Sequence, residues 1–448
     1  MKRVYLDFLG CRLNEAELQQ WATQLRKRQI TLVPSPGQAD AIVLNTCAVT
    51  GEASRKSRQR LRRLHRENPQ ARLVVSGCYA TLSPDELAHQ LGVDLVVPNP
   101  EKDLLVDKLC DLLDWPVMPE AAAEPDAAAI FSCHRDRAFV KIQDGCRYRC
   151  TYCVVTLARG EERSRPIAEL VAEVQSLYAQ GIYEIVLTGV HVGGYGSDIG
   201  ENLSSLVGAL LSDTDIPRIR FASVEPWDLP DNFWSLFENP RLMPHMHLPM
   251  QSGSDSVLRR MSRRCRRAEF IELVKTARRH VPNFNVTTDI IVGFPGETEQ
   301  DFEASVSLVE EVGFGHVHIF SFSPRSGTKA ARLPNQVDNQ VKKARSQRLH
   351  QIAARTARTE MARQIGNSVE ILFESEVEAG SRKAYRYWGH TPNYFRVGIE
   401  SDRDDLGGAI GRVSLSDISS AGRYIEGTLV EVVRAAPVRQ SIPLAVKY

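Results

Sequence analysis

Short apolar runs alternate with longer stretches in which apolar residues recur every three or four positions, and this alternation already divides the chain. Over residues 1–115, runs at Arg3 to Leu9, Ala41 to Leu44, Leu73 to Val75 and Asp94 to Val97 read as strands, with helical spacing near 14–28, 51–66, 83–91 and 101–113. Such alternation predicts an open parallel α/β sheet. Between 116 and 136 the composition shifts to Pro, Ala and Glu, which reads as a linker. Strand and helix patterns then resume over 137–365, with strands at Phe139 to Gln143, Glu184 to Leu187, Ile219 to Ser223, His245 to Leu248, Val286 to Val292 and Val317 to Phe322. A closed barrel needs eight strands, so six predict a partial (β/α)6 barrel with a lateral opening. A helical pattern from 337 to 364 ends at Gly366. Beyond it, short β-type runs at Ser368 to Phe373, Tyr394 to Gly398 and Thr428 to Val433 predict a small β-barrel over 366–436, followed by a tail at 437–448.

Composition adds exclusions. No run of eighteen apolar residues occurs, and the start reaches Asp7 too soon for an apolar signal segment, so a cytoplasmic protein without a membrane span is expected. Nine cysteines, an odd number over 448 residues, favour metal ligation and free thiols over a disulfide framework. A net charge of +1 supplies no global field for a polyanion. Locally, residues 55–66 carry seven Lys or Arg in twelve, residues 259–267 carry six Arg in nine, and Lys342 to Arg363 is basic again. One such run is an ordinary solvated helix face; three in a neutral protein point to a phosphate backbone. Arg55, Arg58, Arg62 and Arg66 are the candidate contacts on the first run. In the last domain Lys383, Arg386 and Arg396 stand among Tyr385, Tyr387, Trp388, Asn393 and Tyr394, residues that stack on bases or simply fill a barrel.

The candidate chemistry lies in two sets of three cysteines. Cys146, Cys150 and Cys153 fall within eight residues, at x3 and x2 spacing. Fe–S clusters usually take four thiolates, so three would leave one iron open. A structural zinc site wants a fourth ligand at short range, whereas the next histidine is His191. Cys11, Cys47 and Cys78 each end a predicted strand, and in a parallel sheet such ends share one edge. The alternative is three unrelated buried cysteines. Cys110 reads as a core residue, and Cys133 and Cys265 have no setting that assigns them a role.

Strand ends of the predicted barrel also carry Gly189, Ser223, Glu225, Gln251 and Gly293. Glycine permits close approach of backbone to a ligand, while Glu225 and Gln251 offer hydrogen bonds to hydroxyls or an amine. The same residues serve as turns and caps in any α/β protein.

The C-x3-C-x-aromatic-C spacing, with Tyr152 before the last cysteine, resembles that of the radical S-adenosylmethionine enzymes. With Gly-Cys11-Arg-Leu-Asn, Asn-Thr-Cys47-Ala-Val-Thr, Ser-Gly-Cys78-Tyr-Ala, Arg159-Gly, His-Leu-Pro-Met-Gln-Ser-Gly-Ser and Asp-Ile-Ile-Val-Gly-Phe-Pro-Gly-Glu-Thr, nearly the whole chain resembles their methylthiotransferase family. The resemblance implies two 4Fe-4S clusters, one on Cys146, Cys150 and Cys153 and one on Cys11, Cys47 and Cys78. It implies S-adenosylmethionine held near Tyr152, Gly189, Ser223, Glu225, Gln251 and Gly293, and a C-terminal barrel of the TRAM type. The implied reaction converts C–H to C–S–CH3. Implied partners are the anticodon stem-loop of a tRNA and an electron donor such as flavodoxin or ferredoxin, with the sulfur donor unspecified. Asn-Thr-Cys47-Ala-Val-Thr-Gly-Glu-Ala-Ser-Arg-Lys, Val224-Glu-Pro-Trp227 and Phe320-Ser-Phe-Ser-Pro look most like the branch acting on N6-threonylcarbamoyladenosine. The isopentenyladenosine branch, the ribosomal-protein aspartate branch and a non-catalytic RNA-binding metalloprotein are the alternatives.

Overall fold

The computed structural model describes residues 2–89, 92–115, 136–230, 232–379 and 384–437. Most of the expected linker, the tail beyond 437, Cys133 and Lys383 lie outside them. The chain opens with β1 (Arg3–Phe8), α1 (Arg12–Lys27), β2 (Thr31–Leu32), β3 (Ala41–Thr46), α2 (Gly51–Glu67), β4 (Arg72–Gly77), α3 (Cys78–Leu82), α4 (Pro84–Ala88), β5 (Leu95–Val97) and α5 (Leu105–Leu112). Its strands pair in parallel in the order β2-β1-β3-β4-β5. β3 is buried along its whole length, as an apolar run in a sheet covered on both faces should be. α2 turns Ser57, Leu61 and Leu64 to that sheet at helical spacing, and Thr50 caps it by accepting from Ala53 N at 3.1 Å. The basic run is therefore the opposite face of an amphipathic helix.

The second unit runs through β6 (Arg137–Lys141), β7 (Gln143–Asp144), α6 (Val155–Arg159), β8 (Arg163–Ser164), α7 (Ile167–Ala179), β9 (Glu184–Thr188), α8 (Leu203–Asp213), β10 (Arg218–Phe221) and β11 (His245–His247). It continues with α9 (Asp255–Arg260), α10 (Arg267–His280), β12 (Asn285–Val292), α11 (Glu299–Val312), β13 (His316–Ser321) and α12 (Asn339–Ala362). Two parallel three-stranded sheets, β10-β9-β6 and β11-β12-β13, are joined by bridges from Ile219 to Leu242 and from Ser223 to His247. The result is an open arc from β6 to β13. Side chains alternate across it: Val286, Ile290 and Val292 of β12 pack outward into the helix layer, leaving Thr287 and Asp289 on the inner face. The lateral opening is partly covered on the β6 side, because Ala16 of α1 packs on Phe139, Val186 and Ala222 and Arg12 stands 5.1 Å above the Phe139 ring.

The last unit is β14 (Ser368–Phe373), β15 (Glu378–Ala379), β16 (Tyr385–His390), β17 (Arg396–Ser401), β18 (Ile410–Ile418) and β19 (Ile425–Arg434). The order β14-β18-β19-β17-β16 is closed by pairing of β14 with β16, giving a small TRAM-like barrel. Three of the unit's strands are absent from the expected runs: β15 is only two residues long, and Gly, Arg, Ser and Asp interrupt the apolar positions of β16 and β18. Tyr394, expected in a strand, instead sits in a turn at φ +73°. The helix expected over 101–113 begins as a 3-10 turn at Asn99–Leu104, with Pro100 in its first turn and Asn99 and Lys102 buried.

The small barrel docks on the starts of the central strands. Arg220 of β10 donates to the Pro392 and Thr391 carbonyls at 2.7 and 2.9 Å, and Asn285 of β12 donates to the Asn393 carbonyl at 2.8 Å. Tyr394 is stacked between His245 and His390, each 4.6 Å away by ring centroid. Asn393 and Tyr394 thus close the bottom of the arc and are not free to stack on bases.

Candidate active site

Both cysteine sets stand at strand ends, and local backbone explains how. Gly10 has φ +103°, and a Cβ there would lie 2.6 Å from Cys47 Sγ; only glycine lets the turn into α1 meet that thiol. Gly77, at φ +95°, is similarly pressed on the Thr46 carbonyl, 2.3 Å from where a Cβ would stand. Cys11 becomes the N-cap of α1, Cys47 follows β3, and Cys78 opens α3. Cys47 is further held by Ser57, whose hydroxyl donates to its carbonyl at 3.0 Å. Cys11 and Cys78 lie close enough to act electrostatically on Cys47, and burial with these neighbours pushes its thiol up to about 12. A buried thiol of this kind becomes a thiolate only when a cation compensates it.

The second set lies between β7 and α6. Gly145, at φ +73°, is pinned against the Glu161 carbonyl, and Cys146 N donates to Gly160 O at 3.1 Å, so the hairpin closes the loop at its base. Cys153 N donates to Cys150 O at 3.1 Å, and Val155 N donates to Cys153 Sγ at 3.4 Å. Burial pushes Cys146 up to about 12 and Cys153 up to about 11. Cys153 and Cys78 are near enough to influence each other, so the two sets share one region.

What joins them is a buried ionic lattice. Arg159 donates to Glu17 Oε1 at 2.7 Å, Asp144 Oδ1 at 3.0 Å and Asn14 Oδ1 at 2.8 Å, while Lys102 donates to Glu17 at 2.5 Å and also to Asp144. Glu17 belongs to the first sheet unit and Asp144 adjoins Cys146. Asn99 adds donations to Cys78 Sγ at 3.8 Å and to the Ala158 carbonyl at 2.8 Å. The lattice registers one cysteine set against the other.

The strand-end candidates fall as follows. Gly189 lies 3.0 Å, measured from a notional Cβ, from Gln143 Oε1, which accepts from Val190 N and His191 N at 3.1 and 2.9 Å. Glu225 accepts from Gly193 N at 3.4 Å and lies within electrostatic reach of Cys146. Gln251 adopts φ +76°, exchanging backbone bonds with Asp289 O and Ile291 N, a strained conformation at a strand end. Ser223 bridges to His247. Tyr152 packs with Met261, Phe294 and Phe322. Gly293 donates to Glu297 Oε1 at 2.9 Å, and a Cβ on it would meet the Lys342 stem at 2.3 Å.

Several groups at the site carry no sequence signal. Arg263, from the second basic run, places Nη1 4.0 Å from Cys150 Sγ and its guanidinium 4.2 Å over Trp227. His191, far from Cys146 in sequence, folds beside it together with Glu162. Both its nitrogens are taken, by Glu162 and by Asp228 at 2.6 Å. Burial opposes its protonation, but Asp228, Glu225 and Glu162 together hold its pKa above the ordinary imidazole value, so it is a poor zinc ligand. Deeper in the arc, His247, Asp289 and His318 converge as a donor set that could hold a metal ion. His247 Nε2 is 3.2 Å from Asp289 Oδ1, and its Nδ1 meets Thr287 Oγ1 at 3.0 Å. Burial and the neighbouring imidazoles push His318 down to about 4.

Of the candidate nucleic-acid contacts, Arg55, Arg62 and Arg66 line the exposed face of α2, while Arg58 donates to the Tyr79 hydroxyl at 3.3 Å. Arg386 is paired with Glu426 at 2.7 Å and lies over Trp388 and Tyr424; Arg396 stands 4.3 Å over Trp388. The third basic run is largely structural: Arg345, Arg348, Arg355 and Arg363 bind Glu297, Glu303, Glu310 and Glu360.

An open parallel arc with three thiols in the loop after its first strand defines a radical S-adenosylmethionine enzyme, and residues 140–309 match the radical SAM superfamily. Residues 3–98 match a family described as uncharacterized protein family UPF0004. The chain is 38% identical over 390 residues to the threonylcarbamoyladenosine tRNA methylthiotransferase of Thermotoga maritima, spanning 86% of this chain and 89% of that one. It is 36% identical over 399 residues to the tRNA-2-methylthio-N(6)-dimethylallyladenosine synthase of Oceanobacillus iheyensis, spanning 84% and 75%. In fold it resembles the radical S-adenosylmethionine methyltransferase TsrM of Kitasatospora setae, with TM-score 0.56 at 15% identity over 74% of this chain and 77% of that one. The chain belongs to the methylthiotransferase family of radical S-adenosylmethionine enzymes. Membership implies a 4Fe-4S cluster and S-adenosylmethionine, and among the described residues the donors beside Cys146, Glu162 and His191, are already engaged with each other, so the three thiols fit a cluster with an open iron. No helix among the described residues is long and apolar enough to cross a membrane.

Proposed function

We propose that this enzyme converts N6-threonylcarbamoyladenosine, next to the anticodon of a tRNA, to its 2-methylthio derivative, using a 4Fe-4S cluster on each cysteine set and two S-adenosylmethionine molecules. The observation that carries the reading is the meeting of two three-thiol sets, one at the strand ends of the first parallel sheet and one in the loop after β7, registered by Arg159 and Glu17. When bound, the clusters and S-adenosylmethionine supply the electron, the radical and the methylthio group by which C–H becomes C–S–CH3.

The chain's own residues do the rest. Cys146, Cys150 and Cys153 ligate one cluster and Cys11, Cys47 and Cys78 the other. Glu225 and the Gly189 turn receive the ligand's amine and backbone side, and Tyr152, Ser223, Gln251 and Gly293 complete its cradle. Arg263 balances negative charge at Cys150. α1, through Arg12 and Ala16, covers the β6 flank of the arc and limits water, which a carbon radical requires. The exposed arginines of α2 start just past Cys47 and hold the RNA backbone at the mouth.

The dimethylallyladenosine branch is the second reading, since the relative acting there is nearly as similar. Mass spectrometry of tRNA nucleosides from cells lacking the protein tests the choice. Loss of 2-methylthio-N6-threonylcarbamoyladenosine is expected; loss of the isopentenyl analogue instead moves the substrate to the other branch. A purified protein that yields no 5′-deoxyadenosine with reductant and S-adenosylmethionine would rule out both.

A further inference from the structure

Lys342 is a cation for which the chemistry above has no task. It lies at the start of α12 and only 7% of it is exposed. Its stem crosses Gly293, with Cγ 2.3 Å from where a Cβ would stand, and its ammonium is 5.5 Å from the centre of the Phe322 ring. Among the described residues the ammonium makes no ion pair, whereas Arg345, one turn on, is engaged by Glu297 and Glu299. The stem is buried but the ammonium lines an open cavity with the Phe322 ring on one side, so it is placed to receive an anion that enters there. Lys342 lines a cavity of about 400 Å³ together with Ser321, Ser323, Asn339, Lys343 and Ser346. Its walls offer ammonium, hydroxyl and amide donors and no carboxylate, the donor set of an oxyanion site.

Position selects the anion. The cavity opens at the C-terminal end of β13, on the same rim of the arc as the Cys146 loop. The loop after β13 reaches across to the first unit, where Arg325 donates to the Ala48 carbonyl at 2.7 Å and Ser323 Oγ lies 3.4 Å from a notional Cβ on Gly51. Gly51 is the first residue of α2, so Ser323 on the cavity wall stands beside the start of the helix that carries the exposed arginines. A lone small anion needs no such neighbour; a chain of phosphates does. We propose that the Lys342 cavity takes a backbone phosphate of the RNA strand whose target base enters the arc. The proposal rests on the tRNA reading above and adds to it a fixed phosphate beside the mouth.

The test uses the full chain with its iron reconstituted and an anticodon stem-loop RNA, with binding measured across a salt series. Lys342→Met keeps the stem over Gly293 and removes the charge; iron content and melting temperature check the fold. Expected is binding about tenfold weaker, with the slope of log K against log salt reduced by about 0.7 to 0.9, the loss of one phosphate contact. Lys342→Arg restores the slope, and Lys343→Gln, at an exposed position, lowers it independently of packing. Wild-type slope in both Lys342→Met and Lys343→Gln overturns the proposal. So does inorganic phosphate raising the melting temperature of the wild type but not of Lys342→Met while the RNA slope is unchanged. If wild type itself fails to bind the stem-loop, the tRNA reading has failed first.

Discussion

Arg159 donates to Glu17 at 2.7 Å across the seam between the first sheet and the central arc. Both side chains are 2% exposed, so the pair is inside the protein with Asp144, Lys102 and Lys141 around it. Removing one member of a buried ionic group leaves the others uncompensated. Arg159→Met should therefore cost about 3 kcal/mol in urea unfolding. It should also loosen one cysteine set against the other, seen as product formation falling further than 5′-deoxyadenosine formation. Equal loss of both would mean that the lattice supports stability without setting register.

At the other end of the arc, Glu184 accepts from Arg218 and Arg220 at 2.8 and 2.9 Å. Burial alone would raise its pKa, but Arg220, Arg137 and Arg218 outweigh burial and hold the carboxyl well below its ordinary value of 4.5. A depressed folded-state pKa means stabilisation that is complete above the ordinary value and lost as pH falls through the folded one. Glu184→Gln should lower stability at pH 7 by about 3 kcal/mol, because it leaves three arginines facing a neutral amide. The gap between wild type and variant should narrow steadily below pH 4.5, measured by denaturant midpoints across a pH series. A gap independent of pH would show that the carboxylate is not the source.

The two cysteine sets predict metal content. Anaerobically reconstituted protein should bind about eight irons, and Cys146→Ala about four, with S-adenosylmethionine cleavage abolished. Cys47→Ala should also hold about four irons yet retain cleavage. Iron analysis beside a 5′-deoxyadenosine assay separates these cases. One tightly bound zinc with no iron would end the radical reading.

Arg263 touches Cys150 through a guanidinium stacked on Trp227. Hydrogen bonds and positive charge at a cluster sulfur favour the reduced state. Arg263→Met should lower the midpoint potential of the Cys146-loop cluster. A loss of about 1 kcal/mol corresponds to a shift on the order of 40 mV, readable by a spectroscopic redox titration. An unchanged potential would leave Arg263 a packing residue for Trp227.

Much of this was legible in the sequence because local rules dominate there. Strand–helix alternation located the first sheet and the two sheets of the arc, and the placement of Cys11, Cys47 and Cys78 at strand ends followed from it. Gly10 and Gly77 carried a readable signal, since glycine beside a strand-end thiol implies a turn that no side chain could occupy. The missing parts depend on long-range pairing. Arg263 looked like one arginine in a basic run, and nothing local says that it alone reaches Cys150. His191 and Glu162 meet Cys146 only through folding, as do His247, Asp289 and His318. In the last unit, the aromatic and basic cluster hid two uses: β16 builds the barrel wall, while Asn393 and Tyr394 close the arc.

The attachment of the small β-barrel has a consequence for substrate length. It grips the starts of the central strands, through Arg220, Asn285 and His245, whereas the cysteine loops leave their far ends. A strand of six residues spans roughly 20 Å, so any RNA touching both the barrel's outer surface and the cysteine mouth must extend at least that far along the flank. On the proposed tRNA reading, this separation sets a length requirement: a nucleoside or short loop reaches the chemistry but not the barrel, and only a longer folded RNA engages both.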